Sequence, residues 1–170
     1  MWCVVFVKDR EEKNTEEFIA GLLSESLNAR CFHLTRSRRK KFKGQWHTVC
    51  EDLFPGYVFI DTDQPDRVFG ELKKASRPKL LFSDEAYVSA LEPQESDFME
   101  KLADRNGVIG ISVVNIAGDG TVRYLSGPLV NVKSQVRKVN FHKRVAELEI
   151  SLLGKKRILY LGIELEGING

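Results

Sequence analysis

Two clusters of mainly lysine and arginine residues suggest the clearest chemistry in this sequence, the binding of negatively charged groups. One cluster ends just before Gly44 and contains Arg38, Arg39, Lys40, Lys41 and Lys43. A second lies near the C-terminus and contains Lys133, Arg137, Lys138, His142, Lys143, Arg144, Lys155, Lys156 and Arg157. Like charges at this density repel one another, and a phosphate backbone relieves that cost. Both clusters are therefore candidate sites for a polyanion.

Each cluster also has a simpler interpretation than polyanion binding. The first is either a solvated loop or a contact to nucleic acid or an acidic protein. The second either forms an RNA-binding face or only keeps its domain soluble. Because a strand pair presents alternate residues to one side, the second cluster cannot lie entirely on one face. His142, beside Lys143 and Arg144, could stack on a base or contact a phosphate.

The sequence contains no pattern of catalytic residues. It has no GxxxxGK[ST] phosphate loop, no GxSxG and no HExxH. Asp61 and Asp63 favour a solvated strand end over a metal site, because no third ligand accompanies them. Cys3, Cys31 and Cys50 form no CxxC pair and are predicted to be small buried hydrophobic residues. We predict no enzymatic activity, no metal and no cofactor.

Composition places the chain among soluble globular proteins. It has 170 residues and a net charge of +2, and residues 119–170 carry nine basic against five acidic side chains. No apolar run approaches the roughly 20 residues that a membrane span requires. The N-terminus reads as a strand and not as a signal peptide. We therefore predict a cytoplasmic protein with no membrane partner.

The N-terminal half alternates strands and helices. After a strand over residues 2–8, Asn14 is predicted to cap a helix, with Glu17 completing a capping box. A second strand begins at Cys31. The first basic cluster then leads to a hairpin tip at Gly44, with a returning strand over residues 46–49.

Further elements follow up to the middle of the chain. An apolar strand comes after residues 53–56, and a helix is predicted over residues 65–74, with Pro65 in its first turn. A third helix is predicted from Pro93. Residues 104–120 are either a partly flexible connection or contain a short strand.

The C-terminal part reads as a small barrel of short strands. Gly127 and Pro128 form a tight turn, since glycine tolerates positive φ and proline fixes φ near −65°. Ala146, Leu148 and Ile150 alternate with polar neighbours, which is the period of a strand with one buried face. A last strand over residues 157–161 follows the turn at Gly154.

Two motifs carry a resemblance to a known family. The run Gly120-x-Val122-x₄-Gly127-Pro128-Leu129, followed by Val136-x₂-Val139, resembles a KOW module, which is an SH3-like β-barrel; Ser134 stands where that module usually has glycine. The run Phe54-Pro55-Gly56-Tyr57-Val58-Phe59, after a first strand beginning at Trp2, resembles the NusG N-terminal domain, a ferredoxin-like α/β sandwich. Together they resemble the NusG family of transcription factors, most closely its LoaP branch of specialised paralogues.

This resemblance implies an α+β fold with two domains. Residues 1–104 would form the N-terminal domain, residues 105–118 a linker and residues 119–170 the KOW domain. One position departs from the family, because Ala75-Ser76-Arg77-Pro78-Lys79 stands where a Pro-Gly-Val turn contacts non-template DNA. That contact is not carried over.

The resemblance also implies a function, that of a processive transcription antiterminator or elongation factor acting as a monomer. Its N-terminal domain would bind the clamp helices of RNA polymerase through Trp2, Phe54 and Tyr57, although aromatic residues on central strands more often form a core. The basic hairpin would approach upstream DNA or the opposite jaw of the polymerase, and the KOW domain would bind a nascent RNA hairpin. The implied partners of the protein also include upstream or non-template DNA. The alternative is a ribosome-associated or general RNA-binding KOW protein with no polymerase role.

Overall fold

The computed structural model describes residues 1–23, 25–74 and 88–167. In chain order its elements are β1 (Trp2–Phe6), α1 (Glu12–Leu22), β2 (Arg30–Phe32), β3 (Thr35–Phe42), β4 (Gln45–Asp52), β5 (Tyr57–Asp61), α2 (Pro65–Lys74), β6 (Val88–Ala90), α3 (Pro93–Leu102), β7 (Val108–Ile109), β8 (Ser112–Ile116), β9 (Val122–Ser126), β10 (Val136–Asn140), β11 (Val145–Leu152) and β12 (Lys155–Leu165). The fold is mixed α and β, as predicted. Segment 75–79, where the sequence departs from the resembled Pro-Gly-Val turn, lies outside the described residues.

The chain divides into two compact units. Unit 1 comprises Met1–Leu34 and Phe54–Ser96, and unit 2 comprises Thr35–Leu53 and Asp97–Gly170. The β3–β4 hairpin is therefore grouped with the C-terminal strands. The division by sequence into residues 1–104, 105–118 and 119–170 stays a prediction.

Unit 1 is built on an antiparallel sheet with the strand order β2-β5-β1-β6. Val5, Val58 and Ile60 lie on one face of this sheet and pack in a core with Ile19 of α1 and Val68 of α2. The predicted helix over residues 65–74 and the helix beginning at Pro93 are both confirmed.

The predicted start of α1 at Asn14 is wrong. The helix begins at Glu12, and the Asn14 amide donates to Glu11 Oε2 at 3.0 Å and does not cap the helix. Glu12 and Thr15 are both buried, so tertiary contacts fix the first turn earlier than the capping pattern indicates. Local propensity is a weak signal where packing opposes it.

Unit 2 contains two sheets. One has the strand order β10-β11-β12-β8-β9, with antiparallel pairs except for the parallel pair β12 and β8. The other has the order β4-β3-β7. The hairpin with its tip at Gly44, which has φ of 78°, is confirmed. Residues 108–109 and 112–116 are strands, which is the second of the two structures considered for the connecting segment.

The turn between β9 and β10 is crowded. Gly127 has φ of 88°, and a Cβ there would lie 2.6 Å from Ser112 Cα, so only glycine fits. The Ser112 hydroxyl accepts the Leu129 N–H at 3.0 Å, and both residues are fully buried. Ser134, which stands where the resembled KOW module usually has glycine, lies in a 3₁₀ turn.

The three cysteines do not share one environment. Cys3 is buried, Cys31 is half-buried, and burial raises the pKa of both thiols. Cys50 is exposed, so its prediction as a buried residue is wrong, because β4 has a solvent-facing side at that position. No helix among the described residues is long and apolar enough to cross a membrane.

Candidate nucleic-acid interface

One face of the hairpin formed by β3 and β4 has three cations around one carboxylate, that of Glu51. Arg36, Arg38 and Lys40 alternate along β3 and therefore share one face. All three form ion pairs with Glu51 on β4, at 3.3 Å from Arg36 and 3.7 Å from Arg38. The hydrogen bond from Lys40 and the three positive charges lower the pKa of Glu51 below its ordinary value. This face is therefore partly neutralised within the protein.

The opposite face of the hairpin carries an aromatic ring with two cations near it. The guanidinium of Arg144 lies 5.1 Å from the centroid of Trp46, and the ammonium of Lys41 lies 5.9 Å from it. Arg39 donates to the Thr48 hydroxyl at 2.9 Å. Cation–π contacts of this kind attract a cation to the ring face. Arg144, one of the predicted RNA-binding residues, thus has a partner within unit 2.

One glycine lets the hairpin lie against the five-stranded sheet. A Cβ on Gly162 of β12 would lie 2.7 Å from Arg38 Cα, so β3 passes over this position in close contact. Arg36 Nη1 also donates to the carbonyl of Tyr160 at 2.5 Å. The absence of a side chain at residue 162 sets how closely β3 approaches the sheet.

The sheet face next to Gly162 presents a row of three polar side chains. Lys138, Glu147 and Tyr160 are opposed to one another on β10, β11 and β12, so their side chains lie side by side on one face. In the neighbouring row, Val145 is opposed to Gly162. Strand β3 therefore lies over one row and leaves the other open.

A cleft of about 370 Å³ lies between β3 and this face. We call it the β3 cleft, and its lining residues are Arg38, Lys138, Asn140, Lys143, Val145, Glu147 and Tyr160. Three of these side chains are cationic and one is acidic. The cleft brings one residue of the first basic cluster, Arg38, together with two of the second, Lys138 and Lys143.

Other members of the second cluster are partly neutralised by a carboxylate. Arg137 and Lys156 both form ion pairs with Glu149, and the Lys156 distance is 3.7 Å. Exposed pairs of this kind contribute little to stability, but they leave less net charge for a ligand. Lys155 is exposed at the start of β12, and His142 is exposed in the turn between β10 and β11.

Lys133 lies apart from the β3 cleft. It lines a second cavity of about 470 Å³ together with Val122, Arg123, Tyr124 and Ser134. Burial raises the pKa of the Tyr124 hydroxyl. The nine predicted RNA-binding residues are thus distributed over more than one surface of unit 2.

The residues predicted to contact polymerase lie on the sheet face of unit 1 opposite α1 and α2. Trp2 is 2% exposed and Phe54 is 6% exposed, and both pack with Phe59 at centroid distances of 5.8 and 6.2 Å. Tyr57 is only half-buried and lies 5.2 Å from Phe6, which is also half-buried. The exposed part of this aromatic face is therefore formed by Tyr57 and Phe6, and sequence reasoning did not include Phe6.

The backbone of the Phe-Pro-Gly-Tyr segment favours glycine at residue 56 because of its positive φ and a close backbone contact. Gly56 has φ of 83°, and a Cβ on it would lie 3.1 Å from the Val7 carbonyl oxygen. Its N–H donates to Glu12 Oε1 at 2.6 Å, and Glu12 is 3% exposed. Asp61, considered for a metal site, instead pairs with the N-terminal ammonium at 3.4 Å and with Arg30 at 3.5 Å.

Four residues of this interface escaped the sequence reasoning: Glu51, Glu147, Tyr160 and Gly162. The alternation along β11 indicates that Glu147 faces away from the buried side of the strand. This alternation is the one sequence signal that could have identified Glu147 as part of the interface. Tyr160 lies in the predicted strand over residues 157–161, and no sequence pattern indicates a role for its ring. Gly162 had no local signal, because its close contact is with β3, more than a hundred residues away in the chain.

A comparison with protein families matches slightly less than half of the chain. Residues 1–82 match the family model NusG, described as "Transcription termination factor nusG". The matched region contains unit 1 up to α2, the Phe-Pro-Gly-Tyr segment and the basic hairpin. No curated protein matches the chain.

Proposed function

We propose that this chain, whose N-terminal match supports membership of the NusG family, is a transcription elongation or antitermination factor. The observation that carries the proposal is the family match over residues 1–82. It includes the Phe-Pro-Gly-Tyr segment, whose glycine has a backbone geometry that other residues would not adopt without strain. NusG-family proteins bind RNA polymerase, and we assign the same partner to this chain.

Polymerase binding is assigned to unit 1, which would contact the clamp helices of RNA polymerase. The half-buried rings of Phe6 and Tyr57 supply apolar area at the edge of the aromatic face. Trp2 and Phe54 are buried and support this face from within. Such a factor promotes elongation only to the extent that it binds the active polymerase more tightly than the paused one.

RNA binding is assigned to unit 2, as in the LoaP branch. Exposed basic residues that make no ion pair among the described residues support this assignment, namely Lys138, Lys143 and Lys155. The four strands β9 to β12 and the glycine turn at residue 127 support an SH3-like KOW domain in residues 119–170, and β8, in the predicted linker, adds a strand to the same sheet. A nascent RNA hairpin is the proposed ligand.

The experiment is a single-round transcription assay with the full-length chain and a template that carries an intrinsic terminator. We expect the chain to bind RNA polymerase in biolayer interferometry and to increase read-through of the terminator. Tyr57→Ala should weaken polymerase binding, and Tyr57→Phe, which keeps the ring, should retain it. Failure of the wild-type chain to bind polymerase would overturn the proposal.

The same experiment separates the second candidate function. A chain that binds RNA but neither binds polymerase nor changes read-through would be a ribosome-associated or general RNA-binding KOW protein. The β3 cleft and the cavity lined by Lys133 and Arg123 are both basic surfaces of unit 2 and are compatible with that function. The family match over unit 1 favours the transcription factor.

A further inference from the structure

The β3 cleft has the composition of a binding site for a small anionic ligand. The ammonium groups of Lys138 and Lys143 make no ion pair within the described part of the chain. Arg38, on the opposite wall, is held by Glu51 at 3.7 Å. Glu147 is the one acidic residue of the lining, so the cleft keeps an excess of positive charge.

An aromatic ring and an amide accompany these charges. Tyr160 is 44% exposed, which is unusual for a large side chain on a central strand. Its ring offers a face on which a nucleobase can stack. Asn140 Oδ1 accepts the N–H of Lys143 at 2.9 Å, which orients the amide beside the cleft. Amide groups of this kind hydrogen-bond the edges of bases.

The size of the cleft limits what can enter it. Its volume of about 370 Å³ is near the lower end of the range of about 300–1,000 Å³ for small-ligand sites. Strand β3 forms one wall, so a duplex cannot lie flat on this part of the sheet. An unpaired nucleotide, whose base is free to leave the stack, fits both the size and the chemistry.

We propose that the β3 cleft binds one unpaired RNA nucleotide, with its phosphate on Lys138 and Lys143 and its base stacked on Tyr160. This inference rests on the proposed RNA-binding function and specifies its ligand. It gives the β3–β4 hairpin a role in RNA binding, because Arg38 of β3 forms the wall of the cleft that faces the five-stranded sheet. It also makes the protein select unpaired nucleotides over a continuous duplex.

The test compares two fluorescein-labelled RNAs by anisotropy with the full-length chain. One is a stem-loop with an unpaired uridine loop, and the other is a blunt duplex of the same stem. We expect tighter binding of the stem-loop. Tyr160→Ala should weaken stem-loop binding about 5- to 150-fold, the range that corresponds to losing one base–aromatic stack. Tyr160→Phe should retain it.

The charged residues provide a second measurement. Lys143→Ala should reduce the slope of log K against log salt by about 0.7, the value for one phosphate of a single strand. Lys73→Ala removes an exposed charge from α2 of unit 1, outside the cleft, and should leave the stem-loop to duplex ratio unchanged. Because Tyr160 and both lysines are exposed, these substitutions are compatible with the fold.

The outcomes separate this inference from the proposed function. Equal affinity of the wild-type chain for the two RNAs would overturn the cleft assignment and leave RNA binding in place. An unchanged stem-loop affinity in Tyr160→Ala would do the same. Polymerase binding without any RNA binding would overturn both the cleft and the RNA-binding part of the proposed function.

Discussion

Replacing Gly162 by alanine tests how β3 packs on the five-stranded sheet. The added Cβ would lie 2.7 Å from Arg38 Cα and 3.0 Å from Arg38 Cβ. Since carbon atoms pack about 3.5–4.0 Å apart, β3 must retreat by about 1 Å. The two nearest atoms, the Ser37 carbonyl oxygen and Arg38 Cα, belong to the backbone, which cannot rotate out of the way.

The cost follows from this overlap. Overpacking of a well-packed interior costs about 1–3 kcal/mol in the free energy of unfolding. The retreat also weakens the hydrogen bond from Arg36 to the Tyr160 carbonyl. We expect Gly162→Ala to lower the urea midpoint and to speed hydrogen exchange of the β3 amides by about 5- to 150-fold, because 1.4 kcal/mol corresponds to a factor of ten.

The control is Gly110→Ala. A Cβ at residue 110 meets no atom within 4 Å, and its φ lies outside the left-handed region. There the substitution should be neutral or should stabilise the chain by about 0.4–1 kcal/mol, through a less flexible unfolded state. If Gly162→Ala proves as stable as Gly110→Ala, with unchanged exchange in β3, the close packing of β3 on β12 is refuted.

Three further substitutions test single contacts by urea denaturation. Glu12→Ala should cost about 1–3 kcal/mol, because the Gly56 N–H loses its acceptor, and Glu12→Gln should recover most of it. Ser112→Ala should cost a similar amount by leaving the buried Leu129 N–H unpaired; an unchanged midpoint would contradict that contact. Glu51→Gln should cost about 1 kcal/mol at neutral pH, by removing the carboxylate that three cations share. Because the folded pKa of Glu51 is lowered, its contribution is present above the ordinary value of 4.5 and is lost as pH falls through the folded pKa. Wild type and Glu51→Gln should therefore converge in acid, and parallel pH curves would contradict this account.

Local signals predicted the elements of this chain well. Pro65 marked the first residue of α2, Gly44 marked the hairpin tip, and the alternation along residues 145–150 marked β11. Each of these signals acts through the backbone of the residues that carry it. Such preferences are present in the sequence before any tertiary contact forms.

Contacts between distant segments could not be predicted in the same way. The start of α1 moved to Glu12 because that side chain reaches Gly56, far along the chain. The placement of the hairpin depends on Gly162, which reads as an ordinary strand glycine. Neither contact leaves a periodic pattern, so a single sequence cannot distinguish it from the alternatives.

The candidate interface shows why counting charges is a poor guide to nucleic-acid binding. The second cluster contains eight lysines and arginines, but Arg137 and Lys156 share Glu149, and Arg144 lies over Trp46. What attracts a phosphate is a cation whose charge is not already satisfied by a neighbouring carboxylate.

By this criterion the site of greatest interest is the β3 cleft and not the most basic stretch of sequence. Lys138 and Lys143 make no ion pair among the described residues and line a confined cleft beside the ring of Tyr160. In the denser hairpin cluster, Arg38 and Lys40 pair with Glu51 and Arg39 pairs with Glu164. An exposed lysine attracts any polyanion, whereas a lysine in a confined cleft can bind only what fits beside it. Selectivity for an unpaired nucleotide therefore depends on the packing of β3 over Gly162 as much as on the charges themselves.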